Sequence, residues 1–377
     1  MQKYKPGDGR KTGHLTLHTI LKQTGKVFLL KAVYFLAASA LLLPACAPEK
    51  TPAALEEGEK EIEEQPGVEI LDYRIPHGEF FRGDTVHIEI TVQNNTGEEA
   101  SFYAGCSIKD PLGRYFDLPA TAVTLADGEK GSAAFSWLIP SEAELKDLTS
   151  GPYKVTTALW PEQPGTEEAE RLASLKKEAA FHVINHADHF TAFDETLWGK
   201  SSHRLGLGQL NPGNVTTTEG KLAITLPAGT YEGGQIETRT ADHLYGSYRA
   251  RLKLPDVPSS ITGFFLYKQP DFEHEIDIEI MNSPCGTIWF TTYASGEVSN
   301  TYETSLTFDP TAGFHEYRFD FYPGEVSFYV EGELLQSFGS GLPEEPMHLM
   351  LNAWFPDWLE AEKPLENTTL LVDWIKY

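Results

Sequence analysis

The chain is poor in cysteine, in basic residues and in long apolar runs. Three cysteines in 377 residues are too few for disulfide bonds to stabilise the whole fold, so packed hydrophobic cores must do so. Lys and Arg number 30 against 55 Asp and Glu, a formal charge of −25. A surface this negative excludes nucleic acid as a partner, whereas a neutral polymer meets no such repulsion. No apolar run reaches the roughly 20 residues that a membrane-spanning helix needs.

The N-terminus has the features of a secretion signal. Residues 1–31 carry Lys and Arg with almost no acid, and residues 32–43 form an apolar run, so residues 1–45 are predicted to be a signal peptide. The run ends at Leu43-Pro44-Ala45-Cys46, which resembles a bacterial lipobox and predicts lipidation of Cys46. The alternative is that Cys46 lies near an ordinary cleavage site by chance.

Residues 46–67 are predicted to be a disordered acidic tether, because they are rich in Glu, Lys, Pro and Ala and poor in apolar side chains. With the lipid, this tether predicts a protein of the bacterial cell envelope, either lipid-anchored or secreted. The only membrane contact expected is the one through the N-terminal lipid.

Residues 68–184 are predicted to form an immunoglobulin-like β-sandwich of about seven strands. Short runs with period-two alternation, such as residues 86–92, are separated by turn residues. We expect residues 166–178 to be a long loop before a last strand over residues 179–184. The domain is expected to be a spacer; a carbohydrate-binding role is the alternative, and it would require a row of exposed aromatic side chains.

Residues 185–377 are predicted to form a second all-β domain, with a hairpin turn at Glu331-Gly332. Cys106 and Cys285 fall in different predicted domains. A disulfide between them is therefore not expected, and both are predicted to be small buried hydrophobic side chains.

The segment Glu275-Ile276-Asp277-Ile278-Glu279 carries the clearest chemical signal. Strand periodicity places the three carboxylates on one face and the two isoleucines on the other. Two carboxyl groups flanking a glycosidic bond are what glycoside hydrolysis requires. The same alternation could instead be a solvated strand face or a Ca²⁺ site made of oxygen ligands.

The Glu275–Glu279 segment and several other segments of the C-terminal domain together resemble glycoside hydrolase family 16, and most closely its bacterial lichenase branch. The resemblance covers about half the chain, essentially the whole C-terminal domain. The matching blocks, in chain order, are Asn211–Val215, Tyr245–Arg251, Gly263–Leu266, Glu275–Glu279, Phe314–Asp320, Asn352–Trp354 and Val372–Tyr377. The resemblance implies a jelly-roll sandwich with a concave sheet that forms an open cleft.

The resemblance also implies a retaining mechanism. Glu275 would be the nucleophile and Glu279 the acid/base, with Asp277 between them keeping Glu279 protonated near neutral pH. Titration of the three groups should be coupled. The expected cleft side chains, each with a core, turn or solvated-face alternative, are Trp354, Trp358, Tyr293, Gln235, Glu237 and Asn214. Glu273, two positions upstream of Glu275 and on the same face, is also expected to contact the substrate and to affect specificity. No cofactor is required, although family members often bind a structural Ca²⁺ with an Asp like Asp373.

Some positions depart from the lichenase pattern and leave the substrate open. Lichenases usually carry an aromatic residue where this chain has Glu273, often Glu and Arg where it has Gln235 and Glu237, and Asn where it has Thr291. We therefore expect an endo-acting enzyme on neutral β-glucan, 1,3-1,4- or 1,3-linked. The alternatives are a transglycosylase that remodels a polysaccharide and a non-catalytic glycan-binding lipoprotein.

Overall fold

The structure is a computed structural model, which describes residues 67–165 and 170–377. The predicted signal peptide and Cys46 lie outside these residues, as does the predicted tether except for its last residue, Gly67. Within the described ranges, no helix has both the length and the apolar character needed to cross a membrane. The helical structure there is a single 3₁₀ turn, Pro212–Asn214.

The first part of the fold is a two-sheet sandwich around its own core. Its strands are β1 Val68–Arg74, β2 Glu79–Phe81, β3 Thr85–Asn94, β4 Ala100–Lys109, β5 Tyr115–Leu125, β6 Lys130–Leu138, β7 Gly151–Trp160 and β8 Ala173–Ile184. One sheet has the order β1-β3-β6 and the other β2-β8-β7-β4-β5. Alternate residues of each strand point into the core, as Val86, Ile88, Ile90 and Val92 do from β3.

Strand β8 begins earlier than predicted. The segment from Ala173 to Glu178, expected to be part of a long loop, is strand: Ala173 pairs with Leu159, and Leu175 pairs with Thr157. The loop was predicted because this run of Glu, Ala, Leu and Lys lacks a clean apolar stripe. The prediction was wrong, since Ala173 and Leu175 are buried with the period of two that a strand requires. Two facing sheets agree with a sandwich; the immunoglobulin-like assignment stays a prediction.

The second part is a larger two-sheet sandwich. Its strands are β9 Ala187–Asp188, β10 Trp198–Lys200, β11 Arg204–Leu205, β12 Gly208–Gln209, β13 Val215–Thr218, β14 Lys221–Leu226, β15 Gly234–Thr238, β16 Gly246–Lys253, β17 Ile261–Lys268, β18 His274–Met281, β19 Thr287–Ala294, β20 Glu297–Ser305, β21 His315–Tyr322, β22 Glu325–Val330, β23 Glu333–Phe338, β24 His348–Trp354 and β25 Thr368–Lys376. One sheet runs β10-β15-β24-β17-β18-β19-β20 and the other β13-β14-β25-β16-β21-β22-β23, with β9 beside β25.

Aromatic side chains fill the space between these two sheets. Phe290 of β19 stacks on Phe328 of β22 with ring centroids 4.7 Å apart, and Phe264 of β17 contacts Phe319 of β21 at 5.5 Å. The β22–β23 hairpin turns at Glu331 and Gly332, whose φ values of 52° and 80° are those of a tight two-residue turn. The all-β expectation is confirmed.

The two sandwiches contact each other through the sheet that contains β16, β21 and β25. Glu79 of β2 forms ion pairs with Arg249 of β16 and, at 2.5 Å, with Lys376 of β25. Ser150 accepts a hydrogen bond from the Ser247 amide at 3.0 Å, and its carbonyl accepts one from the Tyr322 hydroxyl at 3.1 Å. This contact leaves the outer face of the β18 sheet on the far side of the second sandwich.

The two cysteines have different surroundings. Cys106 is 3% exposed in the first core, as predicted. Cys285 is exposed, so the expectation that it is buried was wrong. It lies in the turn between β18 and β19, where strand alternation no longer directs side chains inwards.

Candidate active site

Strand β18 holds the three carboxylates near the middle of the seven-stranded sheet. Ile276 and Ile278 are fully buried in the core between the sheets, so their neighbours on the strand face outwards. Glu275 and Glu279 are half-buried, and Asp277 between them is only 4% exposed. A buried central carboxylate is incompatible with a solvated strand face. Within the described residues, no cluster of three or more His, Cys, Asp or Glu is arranged to hold a metal ion.

Glu279 lies in a row of residues that crosses the sheet. Gly263 of β17 is its direct partner on one side and Trp289 of β19 on the other, while Asn352 of β24 pairs with Gly263. The Asn352 side-chain oxygen accepts a hydrogen bond from the Gly263 amide at 3.1 Å. A β-carbon at Gly263 would come within 2.8 Å of that oxygen. Glycine therefore leaves the space beside Glu279 in which the Asn352 amide fits.

Glu275 lies in a second row, between Tyr267 of β17 and Tyr293 of β19. Tyr293 is 7% exposed. Burial raises the pKa of its hydroxyl far above the ordinary value, and the nearby charges of Asp277, Glu275 and Glu279 raise it further. The structure thus brings Tyr293 to the acidic row, and its phenol remains a neutral hydrogen-bond donor there.

Asp277 lies in the row between these two. Its partners are Phe265 of β17 and Thr291 of β19, and Met350 of β24 pairs with Phe265. All three partner side chains are less than a tenth exposed. Glu237 of β15 pairs with Met350 and is half-buried. Glu237 thus shares a row with Asp277 but is separated from it by two strands.

Tryptophans border the row of Glu279. Trp358, in the segment after β24, meets Trp289 edge to face with ring centroids 5.6 Å apart. The indole N–H of Trp289 donates to Glu303 at 2.7 Å. Because Trp289 pairs directly with Glu279, the predicted cleft residue Trp358 lies beside the acid row.

Trp354 lies at the end of β24, two residues after Asn352 and therefore on the same face. A β-carbon at Gly206 would come within 2.7 Å of the Trp354 ring, and Gly206 has a φ of +54°. Gly206 lies in the tight turn between β11 and β12. That hairpin therefore packs directly against the Trp354 ring.

Gln235 is part of a buried polar network rather than an exposed face. Its side-chain amide nitrogen donates to the Ser201 hydroxyl at 2.7 Å, and its side-chain oxygen accepts from the Asn352 side-chain amide at 3.1 Å. Gln235 is 2% exposed. The solvated-face alternative is wrong for Gln235, and its predicted contact with sugar hydroxyls stays a prediction.

Asn214 ends the 3₁₀ turn, and its side chain donates to the Gly233 carbonyl at 3.0 Å. It is half-buried beside the start of β15. The bond to Gly233 is the structural role that the turn alternative predicted, and a sugar contact through the remaining polar atoms stays a prediction.

Phe272 is an aromatic side chain that the sequence reasoning missed. It precedes Glu273, and its ring contacts Tyr293 with centroids 5.5 Å apart. Its φ is +71°, an uncommon conformation for a bulky residue. Phe272 thus brings an aromatic ring against Tyr293, one position before Glu273. The Phe was visible in the sequence, but the backbone that turns it to Tyr293 was not.

Glu273 itself is half-buried just before β18. One of its carboxylate oxygens lies 3.3 Å from the position that a β-carbon at residue 296 would occupy. Gly296, at a φ of +84° in the β19–β20 turn, donates its amide to the Phe272 carbonyl. Glycine at this turn therefore allows the Glu273 carboxylate to approach.

Asp373 lies on β25, in the sheet opposite the acid row. Its carboxylate pairs with the Arg251 guanidinium at 2.5 Å. A carboxylate already neutralised by a guanidinium does not fit a Ca²⁺ ligand. The calcium site stays a prediction.

Comparison with known proteins places the C-terminal half in one family. Residues 208–376 match the sequence model of Glycosyl hydrolases family 16. A β-glucanase of Paenibacillus macerans is 29% identical over 199 residues, which are 49% of this chain and 84% of that protein. A β-glucanase of Acetivibrio thermocellus is 30% identical over 206 residues, 50% of this chain and 60% of that protein.

Solved structures resemble the same half. A prokaryotic β-1,3-1,4-glucanase (lichenase) derived from a mouse hindgut metagenome is 26% identical, with a TM-score of 0.47 over 51% of this chain and 97% of that one. The paired carboxylates and the family match define a glycoside hydrolase. Residues 208–376 match the family 16 model, and the resemblance found in the sequence is confirmed.

Proposed function

We propose that this protein is a retaining, endo-acting glycoside hydrolase that cleaves β-glucan, 1,3-1,4- or 1,3-linked, by double displacement. The observation that carries the proposal is the placement of Glu275 and Glu279 on one face of a central strand, with buried Asp277 between them. Similarity to enzymes named β-glucanases supports glucan as the substrate.

In the first step the Glu275 carboxylate attacks the anomeric carbon. The glycosidic C–O bond breaks, and Glu279 donates its proton to the leaving oxygen, which departs as a hydroxyl. In the second step Glu279, now a carboxylate, takes a proton from water. The resulting hydroxide equivalent attacks the anomeric carbon, and the ester to Glu275 breaks.

Asp277 is proposed to act through its neighbours. Its carboxylate is two residues from each glutamate and shares their face, so its negative charge favours the protonated form of Glu279. Tyr293, a neutral donor beside Glu275, is proposed to orient the nucleophile or a sugar hydroxyl. Low exposure of Asp277 and Tyr293 strengthens both interactions.

The aromatic side chains are proposed to bind the sugar rings, whose C–H faces are apolar. Trp358 stands beside Trp289 next to Glu279, and Trp354 lies on the same face. Phe272, against Tyr293 at the Glu275 end, provides a ring at the other end of the acid row. Rings along the whole row fit a polymer that passes through an open cleft, as endo cleavage requires.

Loss of either glutamate should stop hydrolysis without unfolding the protein. Glu275→Ala should remove activity, and Glu279→Gln should lower kcat roughly 10²–10⁴-fold because no proton reaches the leaving oxygen. Reducing ends released from a panel of β-glucans measure both effects. Glu333→Gln, at an exposed position of the opposite sheet, is the matched control. An active Glu275→Ala protein with a normal unfolding temperature would refute the assignment.

Product analysis tests the transglycosylase alternative, which has the same first step but a sugar acceptor in place of water. Longer oligosaccharides formed from a defined donor and acceptor would support it. Binding without turnover over the same panel would support the non-catalytic alternative.

We further propose that Cys46 carries a lipid that holds the enzyme at the cell envelope. The lipobox-like segment Leu43–Cys46 supports this proposal. Cys46→Ser should abolish incorporation of a radiolabelled fatty acid and release the protein from the membrane fraction. Equal labelling of the variant would contradict it.

A further inference from the structure

The outer face of the five-stranded sheet in the first sandwich carries two aromatic side chains side by side. Tyr103 of β4 and Trp160 of β7 are direct cross-strand partners, and both are half-buried. The residues next to them on their own strands, Ala104 on β4 and Leu159 on β7, point into the core. Tyr103 and Trp160 therefore face away from the core.

Gly105 makes room for the Trp160 ring. A β-carbon at Gly105 would lie 2.6, 3.1 and 3.6 Å from three atoms of the six-membered ring. The indole thus occupies the space above the strand that any other side chain would fill. Gly105 and its partner Ala158 are both buried on this outer face, although Ala158 does not belong to the core. The ring is held against the sheet rather than swinging freely.

A polar row follows further along the same face. Ser107 of β4 pairs with Thr156 of β7 and with Asp117 of β5, and its hydroxyl donates to the Asp117 carboxylate. Beyond this row, Lys154 forms an ion pair with Glu178 beside a cleft of about 400 Å³. Hydroxyl and charged groups thus continue from the aromatic pair along the strands.

We propose that this face binds a neutral β-linked glycan chain. A sugar ring has an apolar C–H face, which an aromatic ring covers, and a rim of hydroxyls, which serine, threonine and carboxylate side chains bind. The choice of a neutral β-glycan rests on the proposed function of the catalytic half. The formal charge of −25 favours a neutral polymer over an acidic one.

The surface is separate from the catalytic cleft. Trp160 lies nine residues along β7 from Gly151, about 30 Å at the rise of a strand. Gly151 is at the contact with the second sandwich, where a β-carbon would collide with the Tyr322 hydroxyl. That contact is on the sheet opposite the acid row. The glycan surface would therefore hold the enzyme on a polymer without blocking the cleft.

Binding is tested with the full chain carrying Glu275→Ala, so that the polysaccharide is not digested. Retardation in gels that contain soluble β-glucan, and depletion by insoluble 1,3-linked β-glucan, give the apparent Kd. Trp160→Ala should raise this Kd about tenfold, the effect of losing one good aromatic contact. Leu138→Ala, which removes an exposed apolar side chain from the other sheet, should leave it unchanged.

Gly105→Ala is a second variant that keeps the indole but pushes it from the sheet, and it should weaken binding as well. Hydrolysis of short soluble β-glucan oligosaccharides by the chains with intact Glu275 should stay within twofold of the parent. Equal Kd values for Trp160→Ala and Leu138→Ala, or no binding by any chain, would overturn the proposed surface. Trp160-dependent binding by a chain whose intact form hydrolyses no β-glucan would support the surface and refute the proposed hydrolase instead.

Discussion

A methyl group added at Gly263 tests whether the Asn352 side chain needs the space that this glycine leaves beside Glu279. Gly263 pairs directly with Glu279, and its amide donates to the Asn352 side-chain oxygen. In Gly263→Ala the new β-carbon would lie 2.8 Å from that oxygen, too close for a contact, and 3.4 Å from the Phe265 ring, an ordinary one. The backbone of Gly263 is outside the left-handed region, so alanine adds no backbone strain.

The cost follows from what the Asn352 amide must do. Turning away from the methyl group breaks a buried hydrogen bond and leaves its partners unsatisfied, which costs about 1–3 kcal/mol. Alanine in place of glycine in a strand stabilises by about 0.5–1 kcal/mol, because the unfolded chain has less freedom to lose. We therefore expect Gly263→Ala to lower the free energy of unfolding by about 1.2 kcal/mol, the difference between the midpoints of these two ranges.

Urea unfolding of a double-mutant cycle with Asn352→Ala isolates this effect. Once the Asn352 amide is gone there is nothing for the methyl group to displace, so Gly263→Ala should then be neutral or slightly stabilising. The coupling free energy should be about 1.2–2 kcal/mol, against about 0.5 kcal/mol or less for independent sites. Additive free energies with unchanged m-values would refute the reasoning.

Three further outcomes are expected. Glu79→Gln should destabilise the protein by about 1–3 kcal/mol at pH 7, since it leaves Arg249 and Lys376 without their shared anion. Burial raises the pKa of Glu79, but the two cations together lower it below the ordinary value. The stability difference between the parent and Glu79→Gln should therefore persist above about pH 4.3 and vanish as the pH falls through the lower pKa of the folded state. A pH-independent difference in urea unfolding would contradict this. Because the pKa of Tyr293 is raised, the ultraviolet difference spectrum between the parent and Tyr293→Phe should show no phenolate at pH 10; phenolate there would contradict its burial beside the carboxylates. EDTA should leave the unfolding temperature unchanged, because Asp373 already pairs with a guanidinium; a fall reversed by Ca²⁺ would restore the calcium site.

Periodicity made the acid row predictable, because a strand has only two faces. Once Ile276 and Ile278 are assigned to a core, the positions of Glu275, Asp277 and Glu279 follow. The partners across the sheet do not follow, because register depends on pairing between segments far apart in the chain. Nothing in the local sequence places Gly263 and Asn352 beside Glu279.

Backbone conformation accounts for the rest of what was missed. Phe272 reaches Tyr293 through a positive φ, which no pattern of apolar residues encodes. The first part of strand β8 was predicted to be loop because its sequence lacks a clean apolar stripe, whereas pairing with β7 makes it strand. The same limit hid the aromatic pair on the first sandwich, since Tyr103 and Trp160 are 57 positions apart and only the β4–β7 register brings them together.

The central claim is that Glu275 is the nucleophile of a retaining glycosidase. Incubation with an activated 2-fluoro-β-glucoside, which slows hydrolysis of the covalent intermediate, followed by peptide mapping by mass spectrometry, tests it directly. We expect one glycosyl ester, on Glu275, and none in Glu275→Ala. A labelled residue other than Glu275, or an unlabelled enzyme that turns over this substrate with inversion at the anomeric carbon, would contradict the account.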